Sequence, residues 1–123
     1  MGGIIVRASL PYLEKLKDKF HGFVSMCSPH LGYMYKTSKL FSTGMWLMNK
    51  WKKSTSLSQL RMADARNLED CYLYKLSQVE GLGWFKHMIL ISSFQDQYGP
   101  FDSARMQICR EATKDVTRGS HYI

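Results

Sequence analysis

Two stretches of this chain carry residue types that could do chemistry at the end of a strand. The first is His87-Met88-Ile89-Leu90-Ile91-Ser92-Ser93-Phe94-Gln95-Asp96-Gln97-Tyr98-Gly99-Pro100. Its apolar run has the length and the Ile and Leu content of a buried strand. Gly99-Pro100 marks a turn just past it. In open α/β sheets, functional groups stand in the crevice beyond the carboxyl ends of the strands. Asp96 would stand there, which makes its carboxylate a candidate functional group. The competing reading is local: an aspartate in such a loop commonly accepts nearby backbone N–H groups in an Asx-turn. The second stretch is Ser28-Pro29-His30-Leu31-Gly32. It directly follows Phe20 to Cys27, whose length and Phe and Val content suggest a strand. Pro29 and Gly32 break the chain there. A small polar loop with a histidine therefore sits at a second carboxyl end. Taken alone, His30 reads as a loop residue bonding backbone.

No other residues gather into a reactive pattern. Cys27, Cys71 and Cys109 are far apart and odd in number, and no Cys-x-x-Cys occurs. Free, mostly buried thiols in a reducing, cytoplasmic compartment are expected. His21, His30, His87 and His121 are scattered without metal-ligand spacing, so no metal or other cofactor is expected. The 123 residues allow one domain with a modest core. No segment approaches a membrane-spanning run. The net charge of +7 suits nucleic acid, an anionic membrane surface or solubility alone. The basic residues form no block beyond Lys50, Lys52 and Lys53, and no nucleic-acid motif occurs, so nucleic acid is not an expected partner. The start lacks the basic region and the long apolar run of a signal peptide. Val6 stands where a myristoylation motif requires Ser or Thr.

The elements that would hold the two loops can be read in order. Ile4, Ile5, Ala8, Tyr12, Leu13 and Leu16 recur at helical spacing. Pro11 interrupts the stripe, so one helix should end near Ser9 and another begin with Pro11 in its first turn. Tyr33 to Lys53 reads as helical after an irregular start, with its lysines at the C-terminal end where cations suit the dipole. Ser56 and Gln59 have capping-box spacing. Asn67 can cap a helix with Glu69 and Asp70 in its first turn, with Leu68, Cys71, Tyr72, Leu76 and Val79 on its apolar side, ending at Gly81 and Gly83. Asp102 or Ser103 can cap a last helix with Ala104, Ile108, Cys109 and Ala112 inward. The tail from Gly119 to Ile123 is expected to fray. Alternation of helices and strands argues for a parallel α/β sheet. Two strands alone do not make a stable one, so either the chain is a fragment or it needs partner strands.

Three segments resemble the lipase-like family of serine esterases with the α/β-hydrolase fold. Met1-Gly2-Gly3-Ile4-Ile5-Val6-Arg7-Ala8 is similar to the second half of that family's Gly-x-Ser-x-Gly elbow and the helix behind it. Ser25-Met26-Cys27-Ser28-Pro29-His30-Leu31-Gly32 resembles its strand ending in Thr/Ser-Pro-His-x-Gly. Ile91 to Pro100 is similar to the strand and loop that deliver the triad aspartate. The resemblance implies a partial α/β-hydrolase fold over residues 1–123, with N- and C-terminal parts of the sheet missing. It also implies a helical, cap-like insertion over residues 28–86. Asp96 would be the acid that orients a catalytic histidine, and Met1 would supply an oxyanion-hole N–H. His30 and Gly32 would line the site floor. The substrate would be a carboxylic ester, of a lipid or other acyl compound.

The chain also departs from that pattern. It contains no Gly-x-Ser-x-Gly, and the nucleophile would lie immediately before Met1. His121 is the sole histidine after Asp96, and it is not expected to serve as the base. This chain by itself is therefore expected to be inactive. An alternative function rests on the Met- and Trp-rich segment 45–53 with its lysines. That segment could place a non-enzymatic module on an anionic membrane or a partner protein.

Overall fold

The computed structural model describes residues 1–35, 55–96 and 99–122, with the backbone alone at 121 and 122. The expected helix over 33–53, and with it the basic segment 45–53, lies outside the described residues apart from a turn ending at Tyr35.

Helix α1 spans Gly2–Ser9 and opens with the Ile4 and Ile5 N–H groups donating to the Met1 carbonyl. It stops where Pro11 can offer no N–H, and a 3₁₀ helix runs on over Leu10–Lys19 with the proline in its first turn. The apolar stripe is narrower than its spacing suggests. Ile4 and Leu10 are buried, while Ile5, Tyr12 and Leu16 face outward.

Strand β1, Gly22–Met26, pairs in parallel with strand β2, His87–Ile91, in the register Val24↔Ile89. The parallel pair expected from the alternating elements is thus present. Along β1 the side chains alternate as a half-buried strand requires, with Phe23 and Ser25 inward and Val24 and Met26 outward. Strand β2 corrects the sequence reading. Its apolar run is not buried, since Met88, Ile89 and Ile91 are all exposed. A continuous apolar run belongs to a strand covered on both faces, and among the described residues this two-stranded sheet is covered on one.

The segment after residue 54 is helical but more broken than its spacing suggests. Helix α2, Thr55–Leu60, already contains Ser56, so the Ser56/Gln59 pair forms no cap. The helix expected from Asn67 is split into a 3₁₀ turn, Leu68–Asp70, and helix α3, Tyr72–Ser77, by extended backbone at Cys71. Asp64 explains the restart, because its carboxylate accepts the Tyr72 N–H at 2.9 Å and so caps α3. The Asn67 side chain turns instead to Asp70. The face that packs is Cys71, Leu73 and Leu76, whereas Tyr72 and Val79 are exposed. With Ile4, Leu60 and Met62 these residues form the core cluster, which ties α1 to α2 and α3.

After β2, Pro100 precedes helix α4, Phe101–Arg105, so Asp102 and Ser103 lie inside the helix and cap nothing. Met106 takes a left-handed conformation (φ 53°) that ends α4. Helix α5 follows over Arg110–Lys114 and α6 over Gly119–Tyr122. Ala104, Cys109 and Ala112 face inward as expected, but Ile108 is exposed because the single expected helix is two. At the tail, where fraying is expected, residues Gly119–Tyr122 form a short helix. The Gly119 N–H donates to the Asp115 carbonyl, and a side chain at Gly119 would meet the Ala112 carbonyl.

Asp115 organises this end. Its carboxylate accepts the Thr117 hydroxyl (2.7 Å), the Thr117 and Arg118 N–H groups (both 3.0 Å) and the Tyr35 hydroxyl (2.9 Å). These donors, the Thr117 hydroxyl foremost, hold its pKa down at about 2. A depressed carboxylate contributes stability that is present above its ordinary pKa and lost as pH falls through the folded value. The turn should therefore loosen between about pH 4 and pH 2. Asp115→Asn should speed amide hydrogen exchange at Thr117 and Arg118 already at pH 7, and unchanged protection there would contradict this assignment.

Candidate active site

The two loops singled out by sequence meet at the carboxyl ends of the paired strands. The Cys27 N–H donates to the Ile91 carbonyl at 2.8 Å, which extends the ladder one step and brings both chain exits together. From this corner the chain passes through Ser28 and Pro29 to His30, which is only 2% exposed.

The His30 Nε2 lies 2.7 Å from the Ser25 Oγ. Helix α1 is laid across this pair. The Gly3 N–H donates to the Ser28 Oγ at 3.1 Å, and the Arg7 guanidinium donates to the His30 carbonyl at 3.1 Å. A methyl group on Gly3 would stand 2.7 Å from both His30 Cε1 and Ser25 Oγ. A serine within hydrogen-bond reach of a histidine is the geometry of an activated nucleophile. Here it cannot act as one. Ser25 is 3% exposed, Gly3 packs against its hydroxyl, and among the described residues His30 Nδ1 has no hydrogen-bond partner that could orient the ring. The pair docks the first turn of α1 onto β1.

Burial, reinforced by the positive charge of Arg7, lowers the His30 pKa to about 4. Above pH 6.5 the folded and unfolded chains both hold this imidazole neutral. Between 6.5 and about 4 the unfolded chain takes the proton first, so stability falls as pH falls. With partial screening by solvent, the loss is about 2 kcal/mol. Urea midpoints at pH 7 and pH 4.5 should therefore converge in His30→Gln relative to the parent, and equal pH dependence in both would refute this.

Asp96 lies half-buried just beyond β2. Its Oδ1 accepts the Gly99 N–H at 3.0 Å, so the local loop bonding weighed from sequence is real. The carboxylate also acts on the end of β1, where it raises the pKa of the Cys27 thiol. Met1 is exposed and lines two concavities. One is a 610 Å³ groove along Gly2, Gly3, Ser25 and Ser28. The other is a 300 Å³ pocket walled by Ile4, Ile5, Ala8, Leu60 and Leu73. Gly32 takes φ +71° and packs against α2 and α3. The side chain of His121 lies outside the described residues.

A family model described as "putative serine esterase" matches residues 1–111, and so takes in α1, both strands and the Asp96 loop. This chain belongs to that family. No solved structure matches it. Among the described residues there is no group of His, Cys, Asp and Glu that could hold a metal ion, and no helix long and apolar enough to cross a membrane.

Within the esterase family frame, the sequence reading missed the residues that hold the site together. Gly3, Arg7 and Ser25 fix α1 on the strand end, and Gly99 holds Asp96. Ser103 joins them, buried inside α4, where its Oγ accepts the Leu31 N–H at 3.0 Å. Two of these had a signal. Ser25 is a polar residue at an inward position of an alternating strand, and Asp96-x-x-Gly99 has the spacing of a carboxylate bonding backbone three residues on.

Proposed function

We propose that this chain is part of an α/β-hydrolase-fold serine esterase that acts on carboxylic esters of lipids or other acyl compounds. The observation that carries the reading is the position of Asp96. Its carboxylate is held at the carboxyl end of β2, beside the end of the parallel strand β1 and the loop of His30. That is where an open α/β sheet places working groups.

In this mechanism a serine immediately ahead of Met1 in the native protein attacks the ester carbonyl carbon. A histidine takes the serine proton and later delivers it to the leaving alcohol. Asp96 holds that histidine in the productive tautomer and stabilises its charged form. The Met1 N–H, at the start of α1, donates to the oxyanion of the tetrahedral intermediate. Residues 28–86 form a cap-like insertion, and His30 and Gly32 lie in its first loop. The pocket beside Met1 is walled by Ile4, Ile5, Leu60 and Leu73, which suits an acyl chain. The three free thiols support a reducing, cytoplasmic setting.

The test is the intact mass of the native protein with peptide mapping of its start. A mass well above 14.3 kDa, with a Gly-x-Ser peptide directly ahead of Gly2-Gly3, is the expected result. A native mass equal to that of this chain would remove the nucleophile and overturn ester hydrolysis.

A further inference from the structure

We propose that the pocket beside Met1 selects the substrate by length: it takes a straight acyl chain of about eight to ten carbons laid along α1, with Ala8 marking its far end. This rests on the reading of Met1 as an oxyanion donor of an esterase and deepens it by naming the substrate.

One side of a helix builds most of the pocket. Met1, Ile4, Ile5 and Ala8 line it from α1, and their spacing is that of a single face followed over two turns. Leu60 of α2 and Leu73 of α3 complete the wall. Ile4, Leu60 and Leu73 belong to the buried core cluster, and Ala8 packs against it, so this part of the pocket is fixed by the fold. Ile5 is 65% exposed and stands at the mouth. Among the described residues, no charged side chain lines the pocket. Such a lining suits a hydrocarbon, whereas a polar headgroup would lose its hydration there without gaining partners.

The helix sets both direction and length. An oxyanion held by the Met1 N–H puts the ester carbonyl at the first residue of this face, so the acyl chain leaves toward Ala8. From Met1 to Ala8 the helix rises about 10 Å, at about 1.5 Å per residue. An extended chain advances about 1.2 Å per bond, since a residue of three backbone bonds spans about 3.5 Å. The face therefore matches about eight bonds. The volume agrees. The pocket encloses 300 Å³, and at roughly 30 Å³ per group, the share a water takes in the liquid, that space holds about ten carbons. A butyryl chain would leave most of it empty, and a palmitoyl chain would run past Ala8.

The experiment measures kcat/KM of the native protein for p-nitrophenyl butyrate, hexanoate, decanoate and palmitate. Each methylene that gains apolar contact raises kcat/KM by up to about fourfold. The profile should climb from butyrate to decanoate and fall by palmitate. Ala8→Phe, which fills the far end, should lower the decanoate-to-butyrate ratio about tenfold or more. A flat profile, or the parent's ratio in Ala8→Phe, would overturn the inference. Should circular dichroism show Ala8→Phe unfolded, Ile5→Ala decides instead. Ile5 is largely exposed, so its truncation spares the core, and the ratio should fall about threefold. An unchanged ratio there would likewise overturn the inference. Calorimetric titration of the native protein with sodium decanoate and sodium butyrate reads the pocket without catalysis, so the two readings fail separately. Hydrolysis with a flat length profile sinks the pocket and leaves the esterase. Absent hydrolysis, with decanoate bound more tightly than butyrate and the preference lost in Ala8→Phe, sinks the esterase and leaves the pocket. Absent hydrolysis with no preference for decanoate sinks both.

Discussion

Gly32→Ala should destabilise the chain by about 3 kcal/mol or more, from the sum of a left-handed backbone penalty and an overpacked contact. Gly32 sits at φ +71°, where any L side chain is strained. A methyl group there would also run into the Leu60 carbonyl and stand 2.7 Å from Leu73 Cδ1. The carbonyl cannot swing aside, because it accepts the Tyr33 N–H at 2.7 Å. Relief requires the His30 loop to part from α2, which opens the core around Leu60 and Leu73. Thermal unfolding followed by circular dichroism should show a Tm lower by roughly 10–15 °C. Gly83→Ala is the matched control, since nothing lies within 4 Å of the methyl group it adds. A Gly32→Ala protein that melts with the parent would mean the loop does not dock on α2 as described. The stake is functional as well as structural. Gly32 ends the loop that begins at Ser28, so its contact with α2 fixes where His30 and Ser25 can meet.

What was legible in the sequence follows from how local each signal is. The length and the Phe and Val content of residues 20–27 mark β1, but not its inner face, where Phe23 and Ser25 point inward while Val24 and Met26 are exposed. Pro11 marks the end of α1 because it lacks a donor. The apolar run from Met88 to Ile91 marks β2, and the parallel pairing of the two strands follows from the helices between them. The position of Asp96 past the strand end needed only that strand. The family was legible through the three short segments around Gly2-Gly3, Ser28-Pro29-His30 and Asp96.

The rest depended on partners distant in sequence. Nothing near Cys71 says that the helix from Asn67 must break, because the group that restarts it is the carboxylate of Asp64. Met106 is an ordinary helix former that here turns left-handed, and that turn sends Ile108 outward. The tail is helical because Asp115 gathers Thr117, Arg118 and Tyr35 on one carboxylate, and Tyr35 is 80 residues away. The Ser25–His30 contact spans only five residues, yet it depends on Gly3 being small enough to lie over both. The exposure of β2 could not be read at all, since an apolar strand carries the same pattern whether or not its second face is covered.

Asp96→Asn, made in the native protein, should lower kcat for ester hydrolysis by about 10³- to 10⁴-fold with KM nearly unchanged, the scale expected when a triad acid becomes an amide. Asparagine preserves the shape of the side chain and can still accept the Gly99 N–H, so the loop stays in place. Two things are lost. The negative charge that stabilises the protonated histidine disappears, and the amide NH₂ now faces a ring nitrogen that should itself donate, which favours the wrong tautomer. Both losses fall on the transition state, where proton transfer occurs, and leave ester binding untouched, so the change belongs in kcat. Gly32→Ala differs in kind, because it would lower the folded fraction and remove activity in proportion. Asp96→Asn should melt with the parent and be silent in the assay. Normal kcat in a folded Asp96→Asn protein would remove Asp96 from the mechanism and leave it the bland role its bond to Gly99 already gives it, a carboxylate that closes its own loop.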